Sequence, residues 1–455
     1  MKKYKLNIVA VLLATLITVP SCDFGDTNVD PQSLSEVSLN LVLPSAIAQV
    51  GFNNFAVAAR NPGIIMQYFE GTDAQQLQYT SYNMPDNTFN NLWRTGLYGG
   101  AMKDLDLIIK QAPEDNAPHY GGIAKILMAE SLGLTTKFFG DAPYSNAFLG
   151  EEGVISPTYD TQEELFTAID GLLSSALTDL QGPAGDIVPG ADDLVFGGDI
   201  DAWIATAYAL QARYAILRSE KGSSFYTDAL TAVNNAYNAG FTSNSGNAEV
   251  NFDASANGAN PFHQFHRDRS NTMVLASYFL GQMSGDPRLA LIREPGTSNG
   301  FAPTTYWGRQ ESPSVIINYA ELKFIEAEAL SQTGGSGAEA AMKAGIAANM
   351  DQMGVDAEDR DNYLLTVSGS SLATIIGEKY KALYPQNIAW DDYRRTGFPA
   401  ITPNADNAAG LNPGGDIPRR FIYPNSEKNL NTDNVNAAIS NQGSDLMNET
   451  LWVFQ

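Results

Sequence analysis

Two loops of this chain hold the residue types that could recognise a sugar. Aromatic rings stack on the apolar C–H face of a pyranose, while amide, carboxylate and guanidinium groups hydrogen-bond its hydroxyls. The loops span residues 71–87 and 301–310, and the adjacent pair Tyr306 and Trp307 is the strongest single candidate. The alternative, that these aromatic rings only pack within the protein, stays open. The predicted ligand contacts are Asp73, Gln76, Gln78, Tyr79, Tyr82, Tyr306, Trp307 and Arg309.

Patterns typical of catalysis or metal binding are weak in this sequence. Residues 296–300 match G-x-S-x-G, but a nucleophile elbow needs a strand before it and a helix after it, and prolines flank this stretch. His263 and His266 have H-x-x-H spacing, yet zinc takes three or four ligands and the third histidine, His119, is remote in sequence. We therefore predict a binding protein with no catalytic residue, metal or cofactor. A surface glycosidase is the less favoured alternative, because carboxylate pairs are common and their separation in space is unknown.

The charge balance restricts the partners. The 455 residues include 27 basic and 51 acidic side chains, which gives a net charge of −24 at pH 7. Phosphate binding depends on clustered lysine and arginine, so neither nucleic acid nor anionic lipid headgroups are expected partners. The chain is 44% hydrophobic and only 17% charged, which indicates a large apolar core.

The N-terminus has the features of an export signal. Three lysines within the first five residues precede an apolar run at residues 8–19, which is short for a membrane span. Small Ser21 then precedes Cys22, and this approach resembles the lipobox of bacterial lipoproteins, in which the cysteine is acylated. No second cysteine is present for a disulfide. We predict a signal peptide at residues 1–21 and lipid attachment at Cys22; an unpaired thiol is the alternative.

Helical periodicity dominates the rest of the chain. Residues 201–222 present one apolar face, and we expect Asp201 to cap this helix and Gly222 to end it. Helical pairs recur at residues 91–144, 201–240 and 319–354, and a further helix begins near Thr161. Pairs of roughly 34 to 40 residues, such as 201–240 and 319–354, suggest tetratricopeptide-like repeats, which must stack to bury their apolar faces.

These patterns predict the fold class and its organisation. We expect a mainly α-helical protein in which helical hairpins form an α-α superhelix beside a loop-rich lobe with little β-structure. Residues 22–38 are predicted to be the lipidated cysteine and a flexible tether, and residues 39–455 the folded domain. Trp93 and Trp203 lie on helical faces, so we place both in the core.

Several segments together resemble the SusD/RagB family of outer-membrane lipoproteins. They follow the order of that family over nearly the whole mature chain. The acids Asp23, Asp26 and Asp30 also resemble the export signal that follows the lipid cysteine in surface lipoproteins of Bacteroidetes. The matching segments are KFFGDAPYSNAF (137–148), NTMVLASYFLGQMSGDPRL (271–289), YAELKFIEAEAL (319–330), IIGEKYKALYPQNIAWDDYRRTGFP (375–399) and IPRRFIYPNSEKNLN (417–431).

The resemblance implies a surface receptor on the outer membrane. It would capture oligosaccharides and deliver them to a SusC-like TonB-dependent transporter. Some relatives bind peptides, so a peptide ligand is the alternative within the same architecture. The shared segments, including Trp390-Asp391-Asp392 and Arg419-Arg420, are expected to hold the architecture together rather than to contact ligand.

Lipid attachment is tested by metabolic labelling. Wild-type cells grown with labelled palmitate should incorporate the label into the protein, and Cys22→Ala should abolish it because the acceptor sulfur is gone. Globomycin, which blocks the lipoprotein signal peptidase, should cause the unprocessed wild-type form to accumulate. Label retained by the Cys22→Ala protein would show that Cys22 is not the attachment site.

Overall fold

The structure, a computed structural model, describes residues 37–404 and 410–455. The predicted signal peptide, Cys22 and most of the predicted tether lie outside the described residues. The described chain from Leu39 onward forms one compact unit that ends at Gln455.

Helices account for most of the regular structure. A π-helix spans Asn91–Ala101, and short 3₁₀ turns span Asp86–Phe89, Ser219–Lys221, Asn244–Gly246, Tyr306–Gly308 and Trp452–Phe454. The α-helices are α1 (Leu39–Phe55), α2 (Val57–Ile65), α3 (Ala74–Thr80), α4 (Met102–Gln111), α5 (Pro118–Phe139), α6 (Gln162–Gln181), α7 (Ile200–Leu217), α8 (Ser224–Asn238), α9 (Pro261–Asp268), α10 (Ser277–Gln282), α11 (Leu289–Ile292), α12 (Tyr319–Thr333), α13 (Ala338–Met353), α14 (Ala357–Thr366), α15 (Leu372–Ala382), α16 (Ile388–Thr396), α17 (Asn425–Leu430) and α18 (Thr432–Gln442).

Helical pairs build the scaffold, as the sequence predicted. Helix α5 packs against α6, α7 against α8, and α12 against α13. Successive pairs are joined by contacts of α6 with α7 and of α8 with α12, and α15 packs on α12. Stacking follows because one hairpin alone leaves an apolar face open to water. Trp93 and Trp203 are both buried, which confirms their predicted core positions.

The ends of the scaffold helices follow local capping chemistry. The backbone amide of Glu164 donates to Thr161 Oγ1 and the amide of Thr161 donates to the Glu164 carboxylate, so α6 begins at the predicted position with a capping box. The predicted cap of α7 is wrong by two residues. Asp199, not Asp201, accepts a hydrogen bond from the amide of Ala202, because the helix already begins at Ile200.

Strands are few among the described residues, and they anchor the loop-rich lobe. Strand β1 (Phe69–Gly71) pairs antiparallel with β3 (Met273–Leu275), and β2 (Ala248–Val250) pairs antiparallel with β4 (Ser314–Ile317). In each pair, the two strands lie far apart in the sequence. The loops between the strands are therefore held close together although they are distant in sequence.

The segment Leu39–Ile65, formed by α1 and α2, is long and apolar enough to cross a membrane by length and composition alone. Its apolar side chains instead pack inside the protein, with Leu43, Ile47 and Ile64 fully buried. Such burial is typical of a core helix in a globular body.

A cluster of buried charges fastens α16 to the scaffold. Arg395 Nη2 lies 2.6 Å from both Glu328 Oε2 on α12 and Asp392 Oδ1, and Lys379 Nζ on α15 lies 3.0 Å from Asp392 Oδ2. Burial alone raises the pKa of Asp392, but Lys379 and Arg395 outweigh burial and hold the pKa below its ordinary value. This stabilisation is present above the unfolded-state pKa and is lost as the pH falls through the lowered folded-state pKa.

A second ion pair, made by the neighbouring residue Asp391, joins α16 to α5. Lys137 Nζ lies 2.8 Å from Asp391 Oδ2, and Arg394 Nη2 lies 2.5 Å from Asp391 Oδ1. All three side chains are buried. The charged pattern of this helix, which resembles the family segment, is therefore part of the interior, as predicted.

Replacing Arg395 by methionine should strongly destabilise the fold. The substitution keeps an apolar stem but leaves the Glu328 and Asp392 carboxylates buried without their guanidinium partner, which costs about 3–5 kcal/mol. Denaturant unfolding followed by far-UV circular dichroism measures this loss. Arg360→Met is the matched control, because Arg360 pairs with the partly exposed Asp351 at the surface and its removal should change stability little. Similar losses in the two variants would contradict a structural role for the buried cluster.

Candidate functional site

The first predicted loop folds into a short helix with a polar outer face. Asp73 caps α3 by accepting a hydrogen bond from the amide of Ala74 at 2.7 Å. Asp73 and Gln78 are exposed, so their polar atoms can reach a ligand. Gln76, Tyr79 and Tyr82 turn inward and are buried, so the loop splits into an outer polar row and an inner supporting row.

In the second predicted loop, the aromatic pair is buried, which contradicts its expected exposure. Tyr306 and Trp307 are only 7% and 3% exposed. Trp307 packs 5.0 Å from the ring of Phe55 and 4.4 Å from the ring of Tyr306, measured between centroids. The Trp307 ring points at α1, and burial of both rings removes the open ring face that stacking on a sugar requires. Arg309, directly after the turn, remains exposed.

The tight turn explains why the aromatic pair points inward. A Cβ atom added at Gly308 would lie 1.9 Å from the carbonyl oxygen of Ala302, so the backbone can approach this closely only at glycine. The turn is further held by His263, whose Nδ1 lies 2.6 Å from the carbonyl oxygen of Gly308. Helix α9 is thereby joined to the second loop.

The structure brings the two predicted loops together through α9. Phe69 of β1 contacts the rings of Phe262 and Phe301 at 5.3 and 6.2 Å. On the first loop, the amide of Thr72 donates to the carbonyl of Thr272 at 2.9 Å. Residues 72–80, 261–272 and 301–310 thus form one continuous region of the lobe. We call its exposed side the loop face, and it includes Asp73, Gln78, Arg269 and Arg309.

The two histidines of α9 pack in the lobe. The ring of His266 stacks on that of Phe301 with centroids 4.5 Å apart. Burial and the neighbouring His263 lower the pKa of His266 to about 4, so it is neutral at pH 7. Among the described residues, no group of three histidine, cysteine, aspartate or glutamate side chains is placed to hold a metal ion.

Several unpaired polar atoms lie behind the loop face. Buried side-chain atoms usually have hydrogen-bond partners, so such a group requires a local explanation. Two of these atoms belong to the aromatic pair that the sequence predicted to be exposed: the hydroxyl of Tyr306 and the indole nitrogen of Trp307. Within the described residues, the atoms without a partner in this region are Arg60 Nε, Gln76 Oε1, His266 Nε2, Tyr306 Oη and Trp307 Nε1.

A second opening lies elsewhere, between the π-helix and α17. This aromatic groove has a volume of about 380 Å³, and it is lined in part by Trp93, Arg94, Tyr98, Phe148, Ile155 and Leu430. Phe148 adopts a positive φ of 59°, which is strained for an aromatic residue. Ile155 and Leu430 stand exposed at its rim. The volume of the groove falls within the size range of ligand sites.

Sequence reasoning missed Arg60, Phe265 and the aromatic groove. Arg60 lies in the apolar stretch of α2, where a single arginine could have signalled a special environment. Phe265 lies inside the H-x-x-H segment, which was considered for metal chemistry alone. The groove joins residues from three distant segments, and no local pattern predicts such a meeting.

Comparison with known proteins relates the chain to one family. Residues 31–424 match the family described as SusD-like, starch-binding and associating with the outer membrane. No curated protein matches the chain. A solved chitin-binding protein superposes with a TM-score of 0.79 at 21% identity, covering 92% of this chain and 100% of its own. A SusD homolog from Bacteroides fragilis gives 0.77 at 24%, covering 92% and 100%, and a chitin-binding SusD homolog from Flavobacterium johnsoniae gives 0.75 at 22%, covering 91% and 98%. At these identities the similarity to the solved structures is one of fold.

Replacing Trp307 by alanine should lower stability. The indole is a buried core side chain that packs on Phe55, so its loss should cost about 3–5 kcal/mol of unfolding free energy. Denaturant unfolding measures the change. Unchanged stability of Trp307→Ala would contradict the buried position and favour the exposed platform that the sequence predicted.

Proposed function

We propose, since the chain belongs to the SusD-like family of starch-binding proteins associated with the outer membrane, that it captures oligosaccharides for uptake. In this proposal the protein is a lipid-anchored surface receptor that delivers saccharides to a SusC-like TonB-dependent transporter. Members of this family are binding proteins, and we assign no catalytic role to this chain. The observation that carries the proposal is the loop face, a row of exposed polar side chains fixed on a buried aromatic base.

The loop face provides hydrogen-bonding groups suited to sugar hydroxyls. The Asp73 carboxylate accepts hydrogen bonds, the Arg309 guanidinium donates them, and the Gln78 amide does both. These three side chains are our proposed direct contacts. Gln76, Tyr79, Tyr82, Tyr306 and Trp307 are buried in this conformation, so in the proposal they support the loops from within.

The relatives support a saccharide as the ligand class. Two of the similar solved structures are described as chitin-binding. That description applies to those proteins, and the specific saccharide of this chain follows from its own loop residues. A binding panel must therefore include saccharides other than chitin and starch.

A peptide receptor is the second candidate, and one observation favours it. The aromatic groove has exposed apolar side chains at its rim, Ile155 and Leu430, at 88% and 71% exposure. Apolar walls suit an aliphatic or aromatic peptide side chain better than a hydroxyl-rich sugar. Peptides that co-purify with the protein and bind in this groove would favour this candidate.

The proposed contacts are tested by substitution after a ligand is found. Affinity gel electrophoresis against a panel of polysaccharides identifies the ligand, and calorimetry then measures Kd. The triple variant Asp73→Ala, Gln78→Ala, Arg309→Met should weaken binding about tenfold or more, because each contact contributes roughly 0.5–1.5 kcal/mol and charged ones more.

Phe148→Ala in the aromatic groove is the matched comparison. It should leave Kd of the saccharide within about twofold, since a change of that size is below 0.5 kcal/mol. Saccharide binding that is lost with Phe148→Ala and kept by the triple variant would move the site to the groove. A protein that binds no saccharide of a broad panel would contradict the receptor function itself.

A further inference from the structure

Arg60 carries an unpaired positive charge at the base of the loop face. It lies on α2, and its half-buried guanidinium carbon is 4.1 Å from the centroid of the Phe265 ring. Its Nε atom is buried and has no hydrogen-bond partner among the described residues. No described carboxylate forms an ion pair with it, in contrast to the buried arginines of the scaffold, such as Arg213 and Arg288.

Arg269 brings a second unpaired charge to the same aromatic ring. It follows the end of α9, and its guanidinium carbon lies 5.9 Å from the centroid of Phe265. The side chain is exposed and has no ion pair with any described residue. Neighbouring Arg267 differs, because its Nε lies 2.8 Å from Asp268 Oδ1 and its charge is compensated. Two free guanidinium groups therefore converge on one ring.

This pair is adjacent to the proposed saccharide contacts. Thr272 Oγ1 donates to the carbonyl of Arg269 at 2.8 Å, and the carbonyl of Thr272 accepts from the amide of Thr72, one residue before Asp73. Tyr79 of α3 is close enough to Arg60 to affect its pKa. The two arginines thus lie beside the first loop rather than in a remote part of the molecule.

We propose that Arg60 and Arg269, placed around the Phe265 ring, bind an anionic substituent of the saccharide, a carboxylate or a sulfate ester. The inference rests on the proposed receptor function and names its ligand class as an acidic oligosaccharide. Guanidinium groups match both anions well, because their planar N–H donors can hold two oxygens at once. The Phe265 ring packs against the guanidinium of Arg60, so Arg60 loses little side-chain freedom on binding.

The electrostatics of the free protein favour an anion at this place. Burial and the neighbouring Arg269 together lower the pKa of Arg60 to about 10, against an opposing effect of Tyr79. An anion bound by the two guanidinium groups would relieve their repulsion and compensate the burial of Arg60. The chain as a whole has a net charge of −24, so it repels acidic polymers in general. Binding of an acidic saccharide therefore depends on a local positive site.

Calorimetry with defined oligosaccharides tests the proposal. The probes are an oligogalacturonate for the carboxylate, a chondroitin sulfate oligosaccharide for the sulfate, and neutral chito- and malto-oligosaccharides. The variants are Arg60→Met and Arg269→Met, in which methionine keeps an apolar stem against Phe265. Since Arg60 is half-buried, circular dichroism checks its folding, and the exposed Arg269→Met provides an independent test. Lys103→Met is the charge-matched control, because it removes an exposed cation on α4 that forms no ion pair with any described residue.

The expected result is binding of at least one acidic probe, weakened about tenfold or more by each arginine substitution and less than about twofold by Lys103→Met. Affinity should also fall as salt is added. Whichever of the carboxylate and sulfate probes binds more tightly identifies the anion.

Neutral probes that bind while both acidic probes do not would overturn the anionic site and leave the receptor function standing. Equal effects of Arg269→Met and Lys103→Met on an acidic probe would also overturn it, because bulk charge would then explain the binding. Binding of acidic peptides without any saccharide would overturn both the anionic-saccharide site and the receptor function proposed above.

Discussion

The buried ion cluster of α16 is the constraint on which the rest of the structure depends. Arg395 holds Glu328 of α12 and Asp392, while Asp392 also holds Lys379 of α15. The adjacent Asp391 joins Lys137 of α5. A buried charge that loses its partner is expensive, so these helices can pack in only one relative arrangement. The scaffold positions the strands, and the strands in turn position the loops of the lobe.

The sequence predicted the scaffold well because its signals are local. Helical pairs follow from apolar spacing, and the predicted helix start near Thr161 is confirmed. The buried Asp391, Asp392 and neighbouring arginines were predicted as architectural from their resemblance to a family segment. The error at α7, where Asp199 caps rather than Asp201, shows that two nearby aspartates cannot be ranked without the backbone.

The candidate site could be predicted only in part. Asp73, Gln78 and Arg309 were chosen for their polar chemistry, and the structure does expose them. Tyr306 and Trp307 were chosen because aromatic residues in a proline- and glycine-flanked loop suit stacking. The same composition also suits a tight turn that buries its rings. The structure has such a turn, in which the backbone at Gly308 lies close to the carbonyl oxygen of Ala302, and no sequence pattern reveals this contact. Arg60 and Phe265 meet across more than 200 residues, so their pairing needed the tertiary structure.

A helical scaffold therefore supports a face that selects ligand by local charge. Hydrogen-exchange mass spectrometry of the free and saccharide-bound protein shows whether the ligand binds on the loop face. We expect slower amide exchange on binding at residues 72–80, 261–272 and 301–310, with little change at residues 94–99, 143–157 and 425–431 around the aromatic groove. Protection confined to the groove segments, with exchange of the loop face unchanged, would contradict this expectation.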